Sequence, residues 1–384
     1  MDRFLTATAT AEDWAHAAKE CCDGLGAIPT PAPGQALVGF VYMTDGLSAD
    51  TSSILTYLRQ KTGVQHWCGT TGIGILANNW ECHDTPGLAV MVCEFPEAGF
   101  HVFSGVLSDF QELPAETRAW MKETTPGFGI VHGDPTNESI GDAIQSLAQG
   151  LAQGSDRAFG GGFLVGGLSA SRGENYQIAD RLTGGGASGI AFGPGVEVAT
   201  GLSQGCNPLG GTHLVTDAVD NVIMALDGEP ALDVLKEDVG ELLARDLQRI
   251  SGYVHVGMPV TGSDTGDYMV RNLVALDPER GWLAIAGNVT PGDRIIFVRR
   301  DPASAREDMD RMLNDMKSRI PGEPKGGLYF SCVARGPNMF GAQGEEARMI
   351  HNILGDVPLV GFFGNGEVSD ARLYAYTGVL ALFF

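Results

Sequence analysis

Apolar residues along this chain recur in two patterns, and each pattern names a kind of element. Ala305, Met309, Met312, Leu313, Met316 and Ile320 return every three or four residues behind an Asp301-Pro302 start, which predicts a helix with one apolar face. A second helix runs through Ile140, Ala143, Ile144, Leu147 and Leu151, with Asn137 suited to its N-cap. Gly63 and Gly355 suit the left-handed position that ends two more. Short unbroken apolar runs predict strands at 38–43, 88–92, 129–131, 189–192, 196–202, 253–258, 283–286, 295–298, 328–332 and 379–383. Turns such as Pro194-Gly195 and Pro291-Gly292 separate many of them, so most pairs should be antiparallel. The expected class is α/β, with mixed, largely antiparallel sheets and flanking helices.

One order of parts occurs twice. The helix ending at Gly63 is followed six residues later by Gly69-Thr70-Thr71-Gly72-Ile73-Gly74, and the helix ending at Gly355 is followed six residues later by Gly361-Phe362-Phe363-Gly364-Asn365-Gly366. Both read GxxGxG between apolar strands. A weaker echo lies between them, where the helix through Leu151 precedes Gly162-Phe163-Leu164-Val165-Gly166-Gly167-Leu168. Two such sites this far apart predict tandem related domains from a duplication, not a solenoid. Residues 221–226 read as a strand, Asp227-Gly228 as a turn and Pro230 as a helix start. That places the border after 228, giving domains over 36–228 and 229–384. Residues 1–35 read as a helix and a Pro-rich linker around Pro29, Pro31 and Pro33, added at the periphery.

Composition narrows the function classes. With 43% hydrophobic and 19% charged residues, the chain can bury sizeable cores. Its 47 acidic against 25 basic residues, a net charge of -22, would repel phosphate backbones and anionic lipids, so nucleic acid is not an expected partner. No apolar run approaches the roughly 20 residues that span a bilayer. Met1-Asp2-Arg3-Phe4 also lacks the basic start of a secretory signal, so a cytoplasmic protein without membrane insertion is expected. Seven scattered cysteines then read as small buried hydrophobes in a reducing compartment.

The glycines and thiols exclude some chemistry and leave one reaction open. Dinucleotide binding needs GxGxxG between a strand and the helix it opens. Here GxxGxG follows a helix and leads into strand, which reads as a strand turn or bulge. Zinc spacing is missing, since Cys21-Cys22 and Cys82-His83-Asp84 are contiguous and neither CxxC nor HExxH occurs; no metal is expected. Gly205-Cys206 with His213 seven residues on offers a thiol and a base for a hydrolase or transferase. The competing reading is a tight turn with a packed thiol.

Ser203-Gln204-Gly205-Cys206, followed by Val215-Thr216, Leu226-Asp227-Gly228 and Pro230-Ala231, resembles the end of the N-terminal FIST domain and its junction with the C-terminal one. Phe330-Ser331-Cys332, Arg335-Gly336, Phe340-Gly341, Glu345-Glu346, the run from Pro358 to Glu367, and Tyr376-Thr377-Gly378 resemble the C-terminal FIST signature. The resemblance extends from about Ala36 to Phe384. It implies a non-catalytic, small-ligand-binding sensory module in signal transduction, found alone or attached to partners such as kinases, cyclases, chemoreceptors or F-box regions. Amino acids or their derivatives are the implied ligands. The implied alternative is haem, carried through a histidine for nitric-oxide sensing, and otherwise no cofactor is expected. No histidine of this chain carries such a motif. A protein-interaction scaffold is the remaining reading.

The residues themselves suggest where a ligand would sit. Arg335 would meet a carboxylate bidentately, Glu367 would receive an ammonium, and Asn365 with exposed backbone at Gly364 and Gly366 would complete a rim suited to a zwitterion. Cys332, Phe362, Gly205 and Cys206 complete the expected ligand-binding set, although Phe340, Phe362 and Phe363 suit the core better. The competing reading pairs Arg335 and Glu367 with each other or with neighbours, as a lock. The expected site therefore lies between the 332–341 loop and the 361–367 turn.

Overall fold

The computed structural model describes residues 4–151, 163–244, 253–260 and 266–384; Met1 to Arg3 and Gly162 lie outside them. One order of parts is laid down three times. The first pass is β1 (Leu5–Thr10), α1 (Trp14–Leu25), β2 (Gln35–Thr44), α2 (Thr51–Thr62), β3 (His66–Gly72), a hairpin of β4 (Gly74–Ala77) and β5 (Trp80–His83), and the closing strand β6 (Gly87–Pro96). The second is β7 (Phe100–Val106), α3 (Ala115–Thr124), β8 (Phe128–Gly133), α4 (Ile140–Leu151), β9 (Phe163–Leu168), the hairpin β10 (Gln177–Ala179) and β11 (Leu182–Thr183), and β12 (Ala187–Phe192). The third begins with β13 (Val198–Gln204) and is then interrupted. The interruption holds β14 (Cys206–Val219), β15 (Val222–Leu226), β16 (Glu229–Pro230), α5 (Ala231–Ala244), β17 (Val254–Pro259), β18 (Tyr268–Asp277), β19 (Trp282–Ile285) and β20 (Arg294–Arg300). The third pass resumes with α6 (Pro302–Arg319), β21 (Gly326–Cys332), α7 (Pro337–Phe340), α8 (Glu345–Leu354), β22 (Leu359–Gly364), the hairpin β23 (Glu367–Ser369) and β24 (Arg372–Tyr374), and β25 (Thr377–Phe383).

The pairing is the same in each pass. First and second strands run parallel (β2–β3, β8–β9, β21–β22), joined by helical crossovers. The closing strand returns antiparallel beside the first. Each hairpin goes elsewhere: β4 pairs with β22 of the third pass, β10 with β3 of the first and β23 with β9 of the second. Three six-stranded sheets result, β1-β6-β2-β3-β10-β11, β7-β12-β8-β9-β23-β24 and β13-β25-β21-β22-β4-β5. The exchange is cyclic. The twin glycine turns of the sequence are thus two of three passes, and the weaker echo is the third.

From the span expected at the periphery, Leu5–Thr10 form β1 at the edge of the first sheet. β1 pairs with β6 from Leu5–Val92 to Thr10–Gly87, and Ala7 and Ala9 bury against Ala17, Ala18 and Cys21 of α1. The alternation Leu-Thr-Ala-Thr-Ala-Thr is that of a half-buried strand, but alanine and threonine are too small and too polar to mark it as apolar.

Close packing at the middle of the sheets gives the GxxGxG motif its meaning. A Cβ on Gly69 would lie 1.7 Å from the Val41 carbonyl oxygen, one on Gly166 1.8 Å from that of Val131, and one on Gly361 1.7 Å from that of Tyr329, so these positions admit only glycine. Just beyond, the second strands cross and are joined in a ring of hydrogen bonds. Ile73 N–H donates to Phe363 O at 3.2 Å, Asn365 N–H to Leu168 O at 3.1 Å, and Ala170 N–H to Thr71 O at 3.1 Å. The motif is a strand crossing, with Ser169 replacing the second glycine in the middle pass.

One face of each sheet is turned onto a common core. Tyr42, His132 and Phe330 hold corresponding places on β2, β8 and β21. Their ring centroids lie 5.6 Å (Tyr42–His132), 6.2 Å (Tyr42–Phe330) and 6.3 Å (His132–Phe330) apart. The outer faces are covered by α1 and α2, by α3 and α4, and by α6 and α8.

By compactness the chain divides into residues 1–203 with 309–373 and 377–384, and residues 204–308 with 374–376. The second unit is one sheet, β14-β20-β17-β18-β19-β15-β16, closed by an additional β14–β15 pairing and filled by α5 and a Val, Leu and Ile core. The border expected after 228 falls inside it. Asp227-Gly228, with φ of 52° and 91°, is the hairpin turn between β15 and β16. A tight turn of this kind uses the same residues as a linker.

Candidate functional site

In the first two passes the residue at or just past the end of the strand that opens the parallel pair, β2 or β8, bears on the start of the closing strand. Thr44 Oγ1 accepts from Gly87 N–H at 2.8 Å, and Asp134 Oδ2 accepts from Gly185 N–H at 2.8 Å. The third pass has Cys332 at this place. There Glu367 takes over: its Oε2 accepts from Thr377 N–H at 3.2 Å and from Thr377 Oγ1 at 2.7 Å. In the third pass the group that meets the closing strand therefore comes from β23.

Around it lies a buried charge cluster. Arg335, Glu346 and Glu367 are all fully buried. Glu346, in the first turn of α8, accepts from Arg335 Nε at 2.8 Å, Tyr329 Oη at 2.7 Å, Ser331 Oγ at 3.0 Å and Gly336 N–H at 2.9 Å. Both its oxygens are saturated, which is what a buried carboxylate requires. Glu81 of β5 accepts from Gly344 and Ala347 N–H at 2.9 and 3.0 Å, where the helix dipole favours a negative charge. The hairpin of the first pass thus fixes the helix that carries Glu346.

The rim expected from Arg335 and Glu367 is not at the surface. Arg335 spends Nε on Glu346, its Nη2 faces Met309 Sδ at 3.6 Å, and its guanidinium stacks over Phe340 at 5.3 Å. Only Nη1 remains without a partner, so a bidentate grip on a ligand carboxylate is closed to it. Burial opposes its charge, but Glu346, Tyr329 and Glu367 outweigh that and hold it firmly protonated. Burial pushes Glu367 up to about 8, although Thr377, Arg335 and Cys332 pull the other way, so it is a neutral acid at pH 7. Its Oε1 has no partner.

The remaining expected residues scatter. Phe362 is core, stacked on Tyr42 with centroids 5.2 Å apart. Asn365 is exposed at the strand crossing, and Gly366 uses its carbonyl on Leu168 N–H at 2.8 Å. Cys332, Arg335 and Glu367 do come together. Glu346, Glu81, Tyr329 and Thr377 were missed as site residues; a Glu-Glu pair opening a helix after glycine was the one available signal, because that is a capping position.

Cys206 and His213 are not assembled as nucleophile and base. His213 gives Nδ1 to Asp227 Oδ2 at 2.7 Å and Nε2 to Asp238 Oδ2 at 2.8 Å, so neither nitrogen can take a thiol proton. Burial disfavours its charge, yet the two aspartates raise its pKa overall. Cys206 is buried, its carbonyl accepting from Tyr268 Oη at 2.6 Å, and Gly205 O accepts from Asp301 N–H at 3.4 Å. The cleft that contains His351 is lined by Thr6, Asn78, Asn79 and Asp356 together with Ile350, Val357, Pro358 and Leu359. Among the described residues no cluster of three or more His, Cys, Asp or Glu is placed to hold a metal, and no helix is long and apolar enough to cross a membrane.

Residues 37–229 match the FIST N domain and residues 231–370 the FIST C domain. An uncharacterized protein of Mycobacterium tuberculosis is 31% identical over 386 residues, covering 98% of this chain and 96% of its own. An uncharacterized protein of Mycobacterium bovis is 33% identical over 231 residues, 58% of this chain and 59% of its own. Human F-box only protein 22 is 31% identical over 114 residues, 27% of this chain and 28% of its own.

Proposed function

Since the chain belongs to the FIST family, whose domains serve sensory signal transduction, we propose that it is a cytoplasmic small-ligand sensor. Its ligand is an amino acid or a derivative, read by Arg335 and Glu367. The observation that carries this is the pair of unpartnered, fully buried polar atoms, Arg335 Nη1 and Glu367 Oε1, in one cluster. Buried polar groups are normally satisfied, and each exception calls for an explanation. A zwitterion supplies both missing partners, its carboxylate meeting Nη1 in a single contact and its ammonium meeting Oε1. The positive charge of the ammonium would favour the carboxylate form of Glu367, whose proton would be released to solvent on binding. Entry falls to the 333–344 loop, where Gly336, Gly341 and Gly344 at φ 53°, 78° and 83° flank the single turn of α7 and give it three flexible points. A signalling protein would read the resulting movement.

Isothermal titration of the full chain against the free amino acids, one at a time, tests this. One of them should bind saturably, Glu367→Gln should weaken it at least about tenfold, a loss of roughly 1.4 kcal/mol, and Asn365→Ala should leave it unchanged. Binding indifferent to Glu367→Gln, or no binding by any amino acid, overturns the reading.

A further inference from the structure

The inner faces of the three passes differ at one pair of positions. Tyr42, His132 and Phe330 correspond on the first strands, and Ala89, Ser188 and Val379, their antiparallel partners, correspond on the closing strands. All six lie within the three-pass unit. The first pair brings one polar group to the common core, the third brings none, and the middle pair brings an imidazole and a hydroxyl together. His132 and Ser188 are buried, and neither His132 Nδ1 nor Ser188 Oγ has a hydrogen-bond partner in the protein. His132 Nε2 lies 3.2 Å from Tyr42 Oη. Burial keeps the ring neutral, so one nitrogen carries a hydrogen and the other a lone pair. If Tyr42 donates to Nε2, Nδ1–H needs an acceptor; if Nε2–H donates to Tyr42, Nδ1 needs a donor. Directly opposed on an antiparallel pair, His132 and Ser188 leave the sheet on one face with Cβ atoms about 5 Å apart, yet they do not bond each other.

We infer that the middle pass carries an interior binding site for a single water molecule, held between His132 Nδ1 and Ser188 Oγ. Water donates and accepts at once, so it satisfies Nδ1 in either tautomer and the serine hydroxyl as well. Room for it follows from side-chain size, since an imidazole and a hydroxymethyl group take less space than the phenyl and isopropyl groups of Phe330 and Val379 at the corresponding places. The walls keep the site to that size. Tyr42, Phe330 and Phe362 stand around His132 with ring centroids 5.6, 6.3 and 5.9 Å away, and a Cβ on Gly167 would already lie 3.2 Å from Phe362 Cζ. A charged guest would find only neutral groups there. The water fixes the imidazole, and through Nε2 it fixes the Tyr42 hydroxyl, so one chain of hydrogen bonds ties the middle pass to the first across an aromatic core.

A high-resolution crystal structure of the full chain tests the site directly. It should show one spherical peak of density within hydrogen-bond reach of both Nδ1 and Oγ. A direct bond between the two atoms, or no peak beside them, overturns the inference. Urea unfolding at pH 7 tests the energetics through a cycle of His132→Phe, Ser188→Val and the double variant, which gives the middle pass the residues of the third. Each single change strands the water's other partner, so the double variant should be about tenfold more stable, in the folding equilibrium constant, than the two single losses combined predict. Strictly additive losses overturn the bridge. Should Ser188→Val fail to fold, Ser188→Ala, the residue of the first pass, takes its place in the cycle, and the native crystal decides in any case.

Discussion

Two buried side chains give this protein opposite responses to pH, and the sign follows from where each proton sits. Glu367 keeps its proton up to about pH 8 in the folded chain against 4.5 in its ordinary state, chiefly because burial penalises the carboxylate. Between those values the native state holds more protons than the unfolded one, so this contribution to stability falls as pH rises and levels off above 8. Glu367→Gln cannot ionise. Its thermal midpoint relative to the native chain should therefore climb from pH 5 to pH 8 in a buffer series, whereas a constant gap would mean that Glu367 is charged throughout. His132 runs the other way. Burial among Tyr42, Phe330 and Phe362 lowers it to about 3, so its contribution is complete above 6.5 and is lost as pH falls toward 3. His255, lowered to about 4 by burial and by Arg300, has the same sign. Phe330 occupies the corresponding place in the third pass, so Phe is a side chain this core already accommodates. Urea midpoints of His132→Phe measured from pH 4 to 7 should show a shallower acid decline than those of the native chain.

At the scale of elements, the glycines separate into those the fold demands and those it merely tolerates. A Cβ on Gly361 would lie 1.7 Å from the Tyr329 carbonyl oxygen, too close for any side chain, whereas a Cβ on Gly141, in the first turn of α4, meets nothing within 4 Å. Gly361→Ala should cost about 3 kcal/mol or prevent folding, as overpacking does. Gly141→Ala should instead stabilise by about 0.5–1 kcal/mol, through helix propensity and a less free unfolded chain. Chemical denaturation of both variants checks the pair. The glycine spacing was fully legible in the sequence, and so was its place between strands. What the spacing stands for was not legible, because the carbonyls that crowd the first glycines lie more than twenty residues away in β2, β8 and β21, and the crossing joins different passes. The candidate site divides the same way. Cys332, Arg335 and Glu367 were legible as polar residues beside apolar strands. The partner that consumes Arg335 was not, since Glu346 reaches it only after α8 folds back over β21 and Glu81 of the first pass caps that helix.

For the molecule as a whole, the sequence showed two clear copies and a weaker echo where the structure has three passes, because Ser169 interrupts the glycine pattern of the middle one and 204–308 interrupt the last. The cyclic hairpin exchange has a consequence that the family boundary conceals. Residues 1–229, the span up to the end of the FIST N match, contain the whole β1-β6-β2-β3-β10-β11 sheet, but they lack β22, the partner of β4, and β23, the partner of β9. They also lack Phe330, Phe362 and Phe383, against which Tyr42, Phe95, Phe128, His132 and Phe192 pack. Such a fragment would expose two unpaired strand edges and an aromatic face, the features that drive aggregation and molten states. Expressed alone, 1–229 should bind a hydrophobic dye and melt without a cooperative transition. Mixed with 230–384 during refolding, it should recover a single sharp calorimetric peak for the three-pass unit, because only then does each hairpin find its sheet. A cooperative, dye-silent 1–229 fragment would mean that the exchanged hairpins are ornaments and that the first two passes close on their own.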